Sequence, residues 1–189
     1  MKKLLAIIVL SLYLITPSQA DDIKDFQIEG ISIGDSLLDY YSEYEIKKAM
    51  NFNSPYNSDK FKTVLFPSKS KDYERMNFHV KKNDKRYKVH SISGQTEINL
   101  NSCLTKKDKV FADLKSLFKN TEMIELDKRK HQGYENSYSY SSYFKFKNGD
   151  LIEIACYDFS KKINKEWADK FTISLDSHEF NEFLLTAYN

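Results

Sequence analysis

The stretch Ser139 to Tyr157, "SYSSYFKFKNGDLIEIACY", constrains the fold more than any other part of the chain. Apolar residues alternate on both sides of Asn148-Gly149, the period of a half-buried strand, so it must fold as an antiparallel hairpin. A two-residue turn at Asn148-Gly149 pairs Phe144 with Glu153 and Lys145 with Ile152, mixing polar and apolar residues on each face. A loop from Asn148 to Asp150 instead pairs Phe146 with Ile152 and Phe144 with Ile154, and sets Lys145 beside Glu153. A one-residue slip exchanges the two faces of a strand, so the side-chain pattern selects the odd-length loop. Tyr138 and Tyr140 then share the face of Phe144 and Phe146. Ser139, Ser141, Tyr143 and Lys145 take the other. This Tyr/Ser-rich run has two readings: core packing with hydroxyls at the rim, or a recognition surface carried by Tyr138, Tyr140 and Tyr143.

A second hairpin is legible upstream. Met76, Phe78 and Val80 alternate up to Asn83-Asp84, and a two-residue loop there sets Val80 opposite Tyr87 and Phe78 opposite Val89. Apolar parity then switches between Val89 and Ile98, which a bulge near Gly94 explains. Four helix starts frame the strands. Ser36-Leu-Leu-Asp39 and a fresh cap at Ser42-Glu-Tyr-Glu45 read as one helix or as two short ones meeting at Ser42. Thr105-Lys-Lys-Asp108 opens a helix with Val110, Phe111, Leu114, Leu117 and Phe118 on one face. Asp176-Ser-His-Glu179 opens another, with Phe180, Phe183, Leu184 and Ala187 inward. The expected fold is α+β: antiparallel sheet with helices packed on one face. Residues 21–189 form one domain, either a single unit or two fused helix-plus-hairpin units with a boundary near residue 100. "DKFKTVLF" (Asp59 to Phe66) and "DKFTISL" (Asp169 to Leu175) are alike, but the match is short and its place in each half differs, so it leaves both forms open.

The first 20 residues read as a signal peptide. Lys2 and Lys3 precede an apolar run from Leu4 to Leu14, and Ser18-Gln19-Ala20 supplies the small residues of a cleavage site, so the mature chain begins at Asp21. The run is shorter than the roughly 20 residues of a spanning helix, so no stable membrane insertion is expected after cleavage. The periplasm or the exterior is the expected location. The chain has 29 Lys+Arg against 27 Asp+Glu, and removing the two signal lysines makes it formally neutral. A nucleic-acid partner, which calls for a basic excess, is therefore not expected. The basic runs Lys81 to Lys88 and Leu126 to Gly133 read as hairpin tips and loops. The two cysteines, Cys103 and Cys156, read as one structural disulfide in an oxidising compartment. They lack the Cys-x-x-Cys spacing of a redox pair.

No catalytic motif emerges. Gly30 and Gly34 have neither dinucleotide nor P-loop spacing, and Asp35, Ser36 and Asp39 supply oxygens where a phosphate would need N–H groups. The stretch starts a helix. His79 and His90 fall on the outward face of the first hairpin as solvated side chains, with Lys88 set to repel a cation. His131 lies in a polar loop. Asp176, Ser177 and His178 have the residue types of a hydrolase triad, but adjacent residues at one helix start cannot form the relay. No metal or other cofactor is expected.

"IEGISIGDSLLDYYSEYEI" (Ile28 to Ile46) resembles a group of small exported proteins of marine alphaproteobacteria, which implies export from a Gram-negative cell. The order strand, glycine, capped helix and antiparallel hairpins also resembles domains of the beta-lactamase-inhibitor-protein and SmpA/OmlA type. Those are binding modules. The chain lacks the lipid-bearing cysteine of the SmpA/OmlA pattern, and no functional residue carries over. The expected function is an exported binding or interaction module, with another envelope protein as partner. The alternative is a hydrolase-like enzyme with a site assembled from scattered polar residues.

Overall fold

The computed structural model describes residues 22–50, 58–131, 134–160, 162 and 168–187. The segment read as a signal peptide, Asp21, Gln132, Gly133 and the side chain of Ala187 lie outside the described residues. The strands are β1 (Phe61–Pro67), β2 (Arg75–Lys81), β3 (Val89–Glu97), β4 (Glu122–Lys130), β5 (Tyr138–Lys145), β6 (Leu151–Asp158) and β7 (Lys170–Asp176). They form one antiparallel sheet in the order β1-β2-β3-β7-β6-β5-β4. Helix α1 (Glu43–Lys48) precedes the first meander, α2 (Leu100–Leu117) separates the meanders, and α3 (His178–Ala187) follows β7. The two meanders join through their last strands, β3 and β7. The fold is α+β, with helices against an antiparallel sheet.

Cross-strand register explains why one face is the core. Val64, Phe78, Ile92, Leu175, Ile152, Phe144 and Met123 stand opposite one another in a single row across all seven strands. Directly opposed residues share a face, so this row fixes the apolar side. Helix α2 lays Cys103, Lys107, Phe111, Leu114 and Phe118 on it, at helical spacing. Phe144 is fully buried, with ring centroids 4.9 Å from Phe111 and 5.8 Å from Phe118. Burying such a ring contributes about 1.5–3 kcal/mol. Leu117, expected inward, is 52% exposed. The helix also starts earlier than its Thr105 signal: Asn99 is the cap, and the Thr105 hydroxyl donates back to the Asn101 carbonyl. Cys103 therefore lies in the first turn of α2, bonded to Cys156 of β6 with Cα atoms 5.9 Å apart. The bridge ties helix to sheet on the apolar face, as the register argument requires.

After a 3-10 turn at Ile23–Asp25, the first glycine stretch folds as a tight hairpin. Ile28 and Ile31 exchange both backbone hydrogen bonds across Glu29-Gly30, with φ at +53° and +79°. The chain then pairs with the start of β3, Gly34 N–H donating to the Val89 carbonyl and Val89 N–H to that of Asp35. Ser36 caps a single 3-10 turn, Leu37–Asp39, and Ser42 with Glu45 forms a full capping box on α1. Two short helices meeting at Ser42 is the form adopted. Ile23, Ile28, Ile31, Ile33, Leu37 and Ile46 join the sheet's core.

Both hairpins depart in register from the sequence reading. In the first, Val80 opposes Val89 and Phe78 opposes Ile92, so the loop is longer than two residues. The Asp84 carboxylate causes this by accepting from the N–H groups of Arg86 and Lys88. The bulge lies at His90, opposite the step from His79 to Val80, and not at Gly94. Gly94 is required for another reason: an added Cβ would come within 2.6–2.8 Å of the Tyr73 ring. The second hairpin keeps an odd-length loop and places Phe144 and Phe146 with Ile152 and Ile154, but Phe144 opposes Ile152 and Tyr143 opposes Glu153. Gly149, at φ +88°, takes the left-handed position that closes a three-residue loop after Phe146. Its missing Cβ also makes room for His178 Nδ1, 2.4 Å from that position. Gly149→Ala should therefore cost about 2 kcal/mol in urea denaturation; an unchanged midpoint would contradict the assignment.

The run Leu126 to Lys130 is edge strand, not loop. Its charges Asp127, Lys128, Arg129 and Lys130 guard an open sheet edge against pairing.

Candidate binding face

The other face of the sheet is polar and yet largely covered. One residue along from the apolar row, Leu65, Asn77, Ser93, Ser174, Glu153, Tyr143 and Ile124 form the next row across the seven strands. Ser91 and Asp176 flank it on one side, Thr172, Ala155 and Ser141 on the other. Ser91, Ser93, Ser141, Thr172, Ser174 and Asp176 are all buried. Solvent-facing strands usually carry long charged side chains, so small hydroxyls on central strands mark a face built for something other than water.

The hydroxyls serve two carboxylates. Tyr143 Oη donates to Glu153 Oε1 at 2.7 Å, and Ser174 Oγ donates to Asp176 Oδ2 at 3.1 Å. Ser141 and Ser91 give further hydrogen bonds to Glu153 and Asp176 respectively. Glu153 keeps partial exposure, while its carboxyl lies deep among protein atoms. Burial raises its pKa above the usual carboxylate range. Asp176 is pushed up to about 7, chiefly by burial, with the charge of Glu153 adding to it. Among the described residues no lysine or arginine forms an ion pair with either group. Two more polar atoms, Asn77 Oδ1 and Thr172 Oγ1, are buried on this face with no hydrogen-bond partner among the described residues. Such atoms cost free energy in the folded protein.

Both ends of the face are closed by aromatic and charged groups. At one end α3 lies across it, with Phe180 stacked on His79 at 4.4 Å and Phe61 edge-on to Phe180 at 5.2 Å. This helix takes the face opposite α2, so the one-face arrangement holds for α1 and α2 alone. His79 and His90 are consequently buried, not solvated. Burial holds His79 down to about 3, and His90 is lowered by burial and by Lys81. Glu179 of α3 accepts from Lys60 and Lys81 at 3.2 and 2.8 Å. At the other end Lys170 Nζ lies 5.5 Å from the Tyr157 ring centroid and 5.6 Å from that of Phe159. Burial there brings Lys170 down to about 8, with Arg75 contributing. His131 is half-buried against Tyr134, Tyr157 and Phe159, and is not in an open loop.

The sequence-nominated residues divide. Tyr143 belongs to the polar face. Tyr138 and Tyr140 lie on the opposite one, Tyr138 under the Lys128 ammonium at 3.8 Å and Tyr140 beside Cys156. The three tyrosines do not share one surface. Asp176, Ser177 and His178 make no relay: Asp176 bonds serines of the sheet, Ser177 Oγ accepts from Phe180 N–H, and the His178 ring packs on Gly149. Glu153, Asp176, Asn77 and Thr172 were not legible as a group. The signal that could have found them is the repeated small hydroxyl at alternate positions, in "SIS" (Ser91 to Ser93) and "TIS" (Thr172 to Ser174).

Among the described residues no three His, Cys, Asp or Glu side chains could hold a metal ion, and no helix is long and apolar enough to cross a membrane. Comparison with protein-family models, with curated proteins and with solved structures finds no match.

Proposed function

We propose that this protein is an exported binding module of the periplasm or exterior, and that it takes its ligand, or another envelope protein, on the polar face of the sheet. The observation that carries this reading is the pair of buried atoms, Asn77 Oδ1 of β2 and Thr172 Oγ1 of β7, with no hydrogen-bond partner among the described residues. Proteins seldom retain such groups unless something else uses them. The buried disulfide fits an oxidising compartment. The resemblance of the helix-and-hairpin order to small binding modules points the same way.

A hydrolase-like reading has one specific observation in its favour. Asp176, at about 7, and Glu153 are two buried carboxylates with raised affinity for protons, the residue type of a general acid. Among the described residues it lacks an activated nucleophile. The closest pairing, Ser177 Oγ with His90 Nδ1 at 3.5 Å, has the serine already capping α3.

The test uses two shape-conserving changes, Thr172→Val and Asn77→Leu. Each removes a polar atom that the folded chain leaves unpartnered, so stability should hold or rise by about 1 kcal/mol per site. The same changes should abolish the adduct that wild-type protein retains after incubation in periplasmic extract, read by native mass spectrometry. A destabilised double variant, or an adduct it retains in full, would contradict the proposal.

A further inference from the structure

We infer that Asn148 is a site of spontaneous modification, deamidation through the backbone of Gly149, which helix α3 holds shut and whose product loosens α3 in turn. Asn148-Gly149 is the one Asn-Gly pair in the chain. Glycine has no side chain to shield its backbone nitrogen, so an asparagine before it is especially open to attack from that atom. The Gly149 nitrogen, giving up its proton, bonds to Asn148 Cγ. The Cγ–Nδ2 bond breaks, and ammonia leaves with that proton. The five-membered succinimide so formed takes up one water and opens to aspartate or isoaspartate. Water is the co-reactant, and Asn148 is exposed to it.

The native loop opposes each part of this step. Asn148 is held by both ends of its amide: Oδ1 accepts from the Asp150 N–H at 3.0 Å, and Nδ2 donates to Asp150 Oδ2 at 2.8 Å. The attacking atom is engaged as well, since the Gly149 N–H donates to the Phe146 carbonyl at 3.0 Å. Helix α3 then clamps the loop from above. Its His178 N–H donates to Asp150 Oδ1 at 2.7 Å, its His178 ring packs on Gly149, and Asn181 Nδ2 donates to the Gly149 carbonyl at 3.3 Å. Asp150 is buried beneath these contacts. The loop is freed only when α3, anchored through Phe180 on His79 and Phe61, opens locally.

The product acts back on the helix. Aspartate or isoaspartate at this position has no Nδ2, so the hydrogen bond to Asp150 becomes a contact between two carboxylates. Isoaspartate also adds a carbon to the main chain of a loop closed by two backbone bonds, Gly149 N–H to the Phe146 carbonyl and Phe146 N–H to that of Asp150. Asp150 is the residue that receives the first N–H of α3, so displacing it frees the helix start. The end of the polar face that α3 covers is loosened with it. The change runs one way, because the ammonia is lost.

The experiment is peptide mapping by mass spectrometry of the folded protein over days in neutral buffer, with the same chain unfolded in guanidinium as reference. The unfolded chain should convert Asn148 more than about tenfold faster than the folded one. Phe180→Leu, which loosens α3 without touching the loop, and Asp150→Ala should each speed conversion in the folded protein by about tenfold, folding being checked by circular dichroism. Asn181→Ala, which removes only the bond to the Gly149 carbonyl, replaces either variant that does not fold. Asn148→Asp, carrying the product's charge, should exchange its α3 amide hydrogens about tenfold faster while those of β3 and β7 keep their rates. Conversion of the folded wild type at the unfolded rate overturns the inference, as do α3 variants that convert no faster than wild type. An Asn148→Asp protein with unchanged α3 exchange overturns it equally.

Discussion

Converting both Cys103 and Cys156 to alanine should lower the stability of the protein by about 4 kcal/mol in chemical denaturation. The bond joins residues 53 apart in sequence, and a loop of that size restricts the unfolded chain strongly in the chain-entropy account. The native side of the balance adds to the effect. Cys103 is 1% exposed and Cys156 fully buried, so the pair also fills core volume between α2 and β6. Two alanines leave a cavity where the sulfurs were, and a domain of this size should lose roughly 10 °C in Tm. A loss below 1 kcal/mol would mean that α2 is held by its apolar face alone. Phe111, Leu114 and Phe118 would then be sufficient anchors.

The second large effect is a pH dependence hidden by compensation. His79 is buried neutral with its pKa down at about 3, against about 6.5 in the unfolded chain. Between those values the unfolded state binds the extra proton, so this group removes stability as pH falls from 6.5 toward 3. Asp176 behaves oppositely. Its folded pKa of about 7 exceeds the unfolded value of about 3.9, so the folded state holds the proton and stability falls as pH rises from 3.9 to 7. Each slope is about 1.4 kcal/mol per pH unit, and over the shared range they cancel. The wild-type profile should therefore carry neither of these two slopes in full between about pH 4 and 6.5. His79→Phe, which keeps a ring against Phe180, should expose the Asp176 slope. That variant should gain about 4 kcal/mol on acidification from pH 7 to 4. Asp176→Asn should expose the other slope and lose about 5 kcal/mol between pH 6.5 and 3. Parallel profiles for wild type and both variants, from urea midpoints across pH, would show that neither group is desolvated as described.

These two residues also show what a sequence can and cannot reveal here. The alternation of Phe144, Phe146, Ile152 and Ile154 is a local signal, and it placed all four on one face. Ser42 with Glu45 is equally local, and the capping box formed. The misplacements came where a side chain acts beyond its nearest neighbours. Asp84 gathers two backbone N–H groups and lengthens a loop; Asn99 captures the α2 start from Thr105; Tyr73 occupies the space over Gly94. The polar face was least legible, because its burial depends on which strands are central. Ser93, Ser174 and Glu153 become neighbours only when β3 pairs with β7 and β7 with β6. An outward His79 reads as solvated until α3 returns from the far end of the chain to cover it. Contacts of that sequence separation leave no periodic trace.

A desolvated polar floor is the feature from which the binding reading and the hidden pH dependence both follow. Carbon-detected NMR titration of the side-chain carboxyls in the protein measures it directly. Asp176 should titrate at about 7 and Glu153 above the ordinary glutamate range. Ordinary values near 3.9 for the aspartate and 4.3 for the glutamate would mean that water reaches the face freely, and would contradict the account.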